Sequence, residues 1–217
     1  MVLTVAGREI SDPLQSWHDY AARTRTLAGY DLAGAGYPGR LTKDEIWRTR
    51  ILSSRISHAE CARLLERATT APWQRVPANS DLADADPVQR DGLFDSAAAL
   101  YWHFIIPRER GLGPAKIHKM LHVKRPALYP VLDSRIRRLY AAQARTWVSR
   151  LPEARSGDSV TFWAAIRDDL VDAGNQAALR QYREDLRAGG HTARLAGLPN
   201  LRLFDIIAWQ TAQRESM

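Results

Sequence analysis

Cysteine is almost absent from this chain: Cys61 is the only one. A single thiol excludes an intrachain disulfide and a four-cysteine iron–sulfur cluster. Its neighbours Ala59 and Ala62 lie in a helical pattern, which marks Cys61 as a packing residue. Long apolar runs are missing as well. No stretch approaches the roughly 18 residues that a transmembrane helix needs, so no membrane span is expected. The opening residues 1–10 are interrupted by Arg8 and Glu9 and lack the apolar core of a secretory signal, which points to a cytoplasmic protein. No internal repeat, β-hairpin signal, phosphate-binding glycine loop, Ser-His-Asp order or paired-carboxylate motif stands out. No cofactor is expected.

What is present is basic charge, unevenly spread. The formal net charge is +7. Residues 108–150 hold eleven basic side chains, and only Glu109 and Asp133 oppose them, so this segment alone carries +9. A basic block on an otherwise near-neutral chain suggests a polyanion partner, although a solvated helix face would give the same count.

Helical signals dominate the chain, and the expected fold is all-α, a single helical unit over residues 1–217. Ser11 or Asp12 can cap a helix over 13–27, with Pro13 in its first turn. Residues 29–39 read as a glycine-rich loop. Thr42-Lys43-Asp44-Glu45 is a capping box, and Ser57 with Glu60 opens a second helix that turns Ala62, Leu64 and Leu65 inward. Residues 71–92 read as a long surface connection. Residues 93–106 are apolar nearly throughout and form a buried central helix stopped by Pro107. Residues 152–159 read as a loop. Two helices follow, over 160–173 and 176–187, with a break at Gly174-Asn175, and the last helix spans 201–213.

The densest motif is Gly111-Leu112-Gly113-Pro114-Ala115-Lys116, a tight turn running into a helix. Glycines there permit positive φ and close approach of another backbone. Pro114 suits the first helical turn, and the amides at that helix start can bind a phosphate. Downstream, Asp133-Ser134-Arg135-Ile136-Arg137-Arg138-Leu139 begins with an Asp well placed to cap the next helix.

On these residues the sequence resembles the helix-hairpin-helix DNA glycosylase superfamily, of the endonuclease III and adenine-glycosylase type. That family pairs a Gly-hydrophobic-Gly hairpin with a Val-Asp-(Thr/Ser)-x-(Ile/Val)-x-Arg-(Val/Leu) segment at this separation. Ile51-Leu52-Ser53-Ser54-Arg55 is similar to its Leu-Leu-Ser-x-Gln segment. The resemblance spans residues 42–140, with the hairpin at 108–122 and flanking helices over 1–41 and 141–217. The string Lys-Arg-Pro-x-Leu-x-Pro-Val-x-Asp-Ser is also shared with an actinobacterial protein family. The resemblance implies two helical lobes around a cleft and a DNA-repair N-glycosylase that flips a damaged or modified base to Asp133, a hydrolase acting as a monomer. It assigns DNA-backbone contact to Gly111, Leu112, Gly113, Ala115, Lys116, Lys119, Arg135 and Arg138, on double-stranded DNA. It places Arg55 where a glutamine fills the gap left by the flipped nucleotide. Bifunctional members carry a lysine nucleophile where this chain has Ala115, so no efficient lyase activity is expected. A non-catalytic DNA-binding module and a small-molecule N-glycosidase are the alternatives.

Trp102, His103 and Tyr129 are candidates to line a base pocket by stacking. His118 and His122 share a helix face at metal-ligand spacing, but no Cys, Asp or Glu nearby completes a set, and packing is the expected role.

Overall fold

The computed structural model describes residues 2–151 and 159–215. The chain is mostly helical, as its periodicity predicts. The loop expected over 152–159 lies, apart from Ser159, outside the described residues.

The N-terminus departs from expectation. β1 (Leu3–Val5) and β2 (Arg8–Ile10) form an antiparallel ribbon with Thr4 opposite Glu9. The two loop residues between them, Ala6 and Gly7, both have positive φ, 51° and 74°. That geometry matches the twist of a two-residue hairpin. Alanine in place of the usual Asn or Asp at the first loop position removes the sequence signal. An isolated ribbon is marginal in water. Here Leu3 and Val5 are buried, and the Thr4 and Ala6 amides donate to Asn175 Oδ1 and Asp169 Oδ2, both at 2.7 Å.

Asp12 caps α1 (Pro13–Ala21) by accepting the Gln15 amide. The helix ends six residues earlier than predicted. A short turn (Thr24–Thr26) and a π-helical turn (Leu27–Asp31) replace its last part. At Gly29 this turn packs closely on Ile51: a Cβ there would lie 2.8 Å from Ile51 Cδ1 and that side chain would have to shift. Both predicted capping boxes are closed reciprocally, at the starts of α2 (Lys43–Arg48) and α3 (His58–Ala68). A 3-10 turn (Thr49–Leu52) follows α2. α3 buries Cys61, Leu64 and Ala68, and Ala62 faces outward, contrary to expectation, because the inward stripe starts one residue earlier.

The 71–92 connection is not merely superficial. It seats Trp73, Val76, Leu82 and Ala85 in the core. α4 (Leu93–Ile105) runs through the centre. Then come α5 (Pro114–Lys124), α6 (Ser134–Leu139) and α7 (Ala141–Val148). α8 (Val160–Val171) and α9 (Ala173–Ala188) divide at Asp172, not at Gly174-Asn175. The Asp172 carboxylate accepts the Asn175 amide at 2.8 Å and caps α9 from one residue before it. α10 (Asn200–Arg214) packs against α1, α6 and α8. Buried side chains from Leu3 to Ala212 form one continuous cluster, so both chain ends belong to the same core.

Candidate active-site cleft

A cleft of about 350 Å³ opens among the 51–53 turn, α5, the start of α6 and α10. Asp133 stands at its wall and caps α6. One oxygen, Oδ1, accepts the Arg135 and Ile136 amides at 2.9 and 3.0 Å. The other, Oδ2, has no hydrogen-bond partner among the described residues. Capping therefore occupies one oxygen of the carboxylate and leaves the other unbonded among the described residues. Across from it, Lys119 Nζ donates to the Leu52 carbonyl at 2.6 Å. Burial lowers the Lys119 pKa, and the charge of Asp133 counteracts part of that shift. Ile51, Leu52 and Ser53, from the upstream motif, line the same cleft.

The rest of the cleft comes from the chain ends. α10 turns Arg202, Asp205, Ile206 and Trp209 toward it, at helical spacing. The buried Arg202 Nε pairs with Asp31 Oδ1 at 2.7 Å, and its Nη2 donates to the Tyr20 hydroxyl at 2.7 Å. Tyr20 in turn donates to Asp31. Asp205 Oδ2 accepts the Val131 amide at 2.9 Å, fixing the segment two residues before Asp133. Burial pushes the Asp205 carboxyl up to about 7, Arg202 and the Val131 amide pull against it, and Asp133 and Asp31 add to the rise. Arg23 and Arg135 lie 5.1 and 5.7 Å from the Trp209 ring centre. Sequence reasoning assigns none of the α1 and α10 residues to a site. A signal was available: Arg202 and Asp205 interrupt an otherwise apolar face, and buried charges need a reason.

The glycine turn lies on the side of α3. Gly111 has φ +92°, which favours glycine, and a Cβ there would sit 2.0 Å from Glu60 Oε1, so the Glu60 carboxylate would have to shift. Gly113 has an ordinary φ of −87°, and a Cβ there would meet nothing within 4 Å. Leu112 is buried and anchors the turn. Among the described residues the amides of Gly111, Gly113 and Ala115 have no hydrogen-bond partner. Two charge clusters staple the turn to α3. Lys116 Nζ pairs with Glu60 at 2.9 Å, and Glu109 pairs with Arg63 at 2.8 Å and with Arg67. Burial raises the Glu60 pKa, but Lys116 and the Ser57 amide outweigh it and hold the carboxyl below its ordinary range.

Residues 14–212 match a protein family described as a family of unknown function, DUF6308. The chain belongs to DUF6308. Every cleft residue named above, from Tyr20 to Trp209, falls inside the matched DUF6308 span. No curated protein and no solved structure matches the chain.

The DUF6308 cleft gathers only part of the predicted site: Asp133, Lys119 and Arg135 line it together. Arg55 is exposed in a neighbouring hollow that shares Ser53 with the cleft. Arg138 is exposed and does not line it. Lys116, expected at a phosphate, is instead bound to Glu60. The three base-pocket candidates lie elsewhere. Tyr129 is fully buried, its hydroxyl donating to the Ala97 carbonyl at 2.9 Å. His103 Nε2–H donates to the Arg67 carbonyl at 2.7 Å, and Trp102 meets Tyr101 edge-on. α4 contacts α3 and α5, and Trp102 and His103 are half-buried on it, away from the cleft.

The two histidines of α5 are committed to the core. The Trp163 indole donates to His118 Nε2 at 2.9 Å, and His118 Nδ1–H donates to the Pro114 carbonyl at 2.7 Å. This pairing fixes the neutral tautomer. His122 Nδ1–H donates to the Tyr129 carbonyl and its ring stacks on Tyr30. Burial lowers both pKa values to about 3. Among the described residues no group of three or more His, Cys, Asp or Glu is placed to hold a metal ion. The basic block is also partly internal. Lys124 pairs with Glu45 at 2.7 Å, and Arg125 donates to the carbonyls of Val76, Lys124 and Pro38.

Proposed function

We propose that this protein binds double-stranded DNA on a helix-hairpin-helix glycosylase-like scaffold and hydrolyses the base–sugar bond of a nucleotide flipped into the cleft. The observation that carries this reading is the free Oδ2 of Asp133 in a cleft shared with Lys119 and the 51–53 turn. In this reading the hairpin amides around Gly113 take a backbone phosphate, which favours an uncrowded helix start. Extrusion of the nucleotide costs a few kcal/mol. As the C1′–N bond stretches, positive charge grows on the sugar and the Asp133 carboxylate stabilises it. Water then adds at C1′, losing its proton to Asp133 and so to solvent. Among the described residues Lys119 is the only lysine lining the cleft, and its Nζ is held by the Leu52 carbonyl, which does not favour a lyase step.

The test is base release from a panel of damaged and mispaired duplexes by wild type and Asp133→Asn. Asparagine still caps a helix, so the variant keeps α6. Release by the wild type, lost in the variant, is the expected result; equal release by both contradicts the reading. One observation favours the small-molecule N-glycosidase: Lys116, Lys124 and Arg125 are bound internally, which thins the basic face. Including free nucleosides in the panel separates the two.

A further inference from the structure

Asp205 is a poor choice for a merely structural residue. It is 4% exposed. Its one hydrogen bond among the described residues, from the Val131 amide to Oδ2, is a bond that an uncharged asparagine would make without burying a carboxyl group. Oδ1 has no such partner. It is also not enclosed: among the described residues the sealed, unpartnered side-chain atoms are Ser54 Oγ and Gln143 Oε1 only. Oδ1 therefore reaches open space, and the space that Asp205 lines is the cleft. On the same face of α10, Trp209 lies one turn beyond and lines the same cleft, with the Arg23 and Arg135 guanidiniums over its ring.

We infer that Asp205 is the general acid of this cleft, passing its proton from Oδ1 to a ring nitrogen of the departing base, and that the substrates are therefore neutral bases and not cationic N-alkylated ones. This inference rests on the glycosylase reading above. The chemistry gives the substrate class. A cationic base leaves as a neutral molecule once the C1′–N pair moves onto nitrogen, so it needs no acid. A neutral base leaves as an anion unless a proton arrives with that pair. Asp205 supplies the proton, Asp133 faces the sugar, and water supplies hydroxide to C1′ and a proton to solvent. The sum is substrate plus water giving free base and a sugar hemiacetal, with Asp205 reprotonated from solvent.

The electrostatics agree with two carboxyls in separate roles. Asp205 faces Arg202 on its own helix, Asp31 from the π-helical turn and Asp133 from the start of α6. Tyr30 and Tyr140 also feel its charge, and Lys119 and Arg135 stand across the cleft. The balance leaves its carboxyl near 7, where a substantial share is protonated at neutral pH and proton transfer is efficient.

The experiment is single-turnover base release by wild type, Asp205→Asn and Asp133→Asn. One duplex set carries neutral target bases and a second carries 7-methylguanine, each followed across pH. For neutral bases, Asp205→Asn should lower the rate about a hundredfold or more. Wild-type release of neutral bases should fall as pH rises through about 7. Release of the cationic base should change little in the variant at about pH 6, where 7-methylguanine keeps its N1 proton and its full positive charge. The wild-type pH comparison needs no variant to fold. Equal losses on both substrate sets would make Asp205 a positioning residue and overturn the inference. So would a wild type that releases only the cationic base. If Asp133→Asn is inert and Asp205→Asn is fully active, this inference fails alone. If the wild type releases nothing, both readings fail together.

Discussion

Gly111 and Gly113 are two residues apart and are glycine for different reasons. Gly111 answers to its own fold, through positive φ and the Glu60 carboxylate pressed against it. Nothing inside the chain demands glycine at 113, where the space is open. Gly111→Ala should cost about 1–2 kcal/mol, from the left-handed backbone alone, and show as a lower Tm. Gly113→Ala should leave Tm within the usual scatter of surface changes yet weaken duplex binding by fluorescence anisotropy. The motif is legible in sequence, but the division of labour between its glycines is not, because both reasons depend on what stands opposite. Asp133 is legible as a cap, since a cap needs only local sequence. Tyr129 misleads: an aromatic next to a motif looks like a stacking platform until its hydroxyl is seen bonded to the Ala97 carbonyl.

The buried histidines set the acid behaviour. His118 and His122 titrate at about 3 when folded, against 6.5 unfolded, so unfolding takes up two protons between those values. The stability they protect is fully present above pH 6.5 and is lost as pH falls. Asp205 acts in the opposite sense. Its folded value of about 7 exceeds the unfolded 3.8, so unfolding releases one proton in that window. For these three groups the net is uptake of roughly one proton, so their joint contribution to stability should fall on acidification from about 6.5 toward 4. His118→Gln should flatten that slope toward zero, measured by urea unfolding at a series of pH values. An unchanged slope would mean that His118 is charged in the folded protein.

At the level of elements, helix starts are the most legible features, because capping boxes are written in four adjacent residues. Thr42 with Glu45 and Ser57 with Glu60 both close reciprocally. The ribbon of β1 and β2 is not legible, since its stability comes from Asp169 and Asn175, more than 160 positions away in sequence. The Lys116–Glu60 pair is hidden for the same reason. It joins α5 to α3 at a solvent-accessible edge. Lys116→Met should destabilise the fold by about 1–2 kcal/mol through the charged hydrogen bonds it removes. The salt dependence of DNA binding should stay unchanged, because this lysine is bound to Glu60. A reduced salt slope would show that Lys116 reaches a phosphate.

Across the whole molecule, the eleven basic residues of 108–150 divide into interior and surface sets. Lys124 and Arg125 are buried, while Arg108, Arg110, Arg138, Arg145 and Arg150 are exposed. A charge count cannot separate these sets, because it takes Glu45 and the carbonyls of Val76 and Pro38 to consume the buried pair. Lys124→Met should cost about 3 kcal/mol or more by stranding Glu45, without changing the salt slope of binding. Removing an exposed cation that neutralises a phosphate, as in Arg110→Ala, should reduce that slope by about 0.9. The cleft itself is half legible. Asp133, Lys119 and the 51–53 turn come from the motifs. Tyr20, Arg202, Asp205 and Trp209, with Asp31 behind them paired to Arg202, come from distant parts of the chain that only the folded core brings together.

The central claim is that the Asp133 carboxylate faces a sugar on which positive charge develops. The most direct test compares the affinity of two duplexes, one carrying a cationic pyrrolidine in place of a deoxyribose and the other a neutral tetrahydrofuran. A site built for the charged transition state should prefer the cationic sugar mimic by at least about tenfold, since transition-state analogues bind 10²–10⁸-fold tighter than substrates. Asp133→Asn should erase that preference while leaving the affinity for the neutral duplex unchanged. Equal wild-type affinity for the two duplexes, or a preference that survives in Asp133→Asn, would contradict the account.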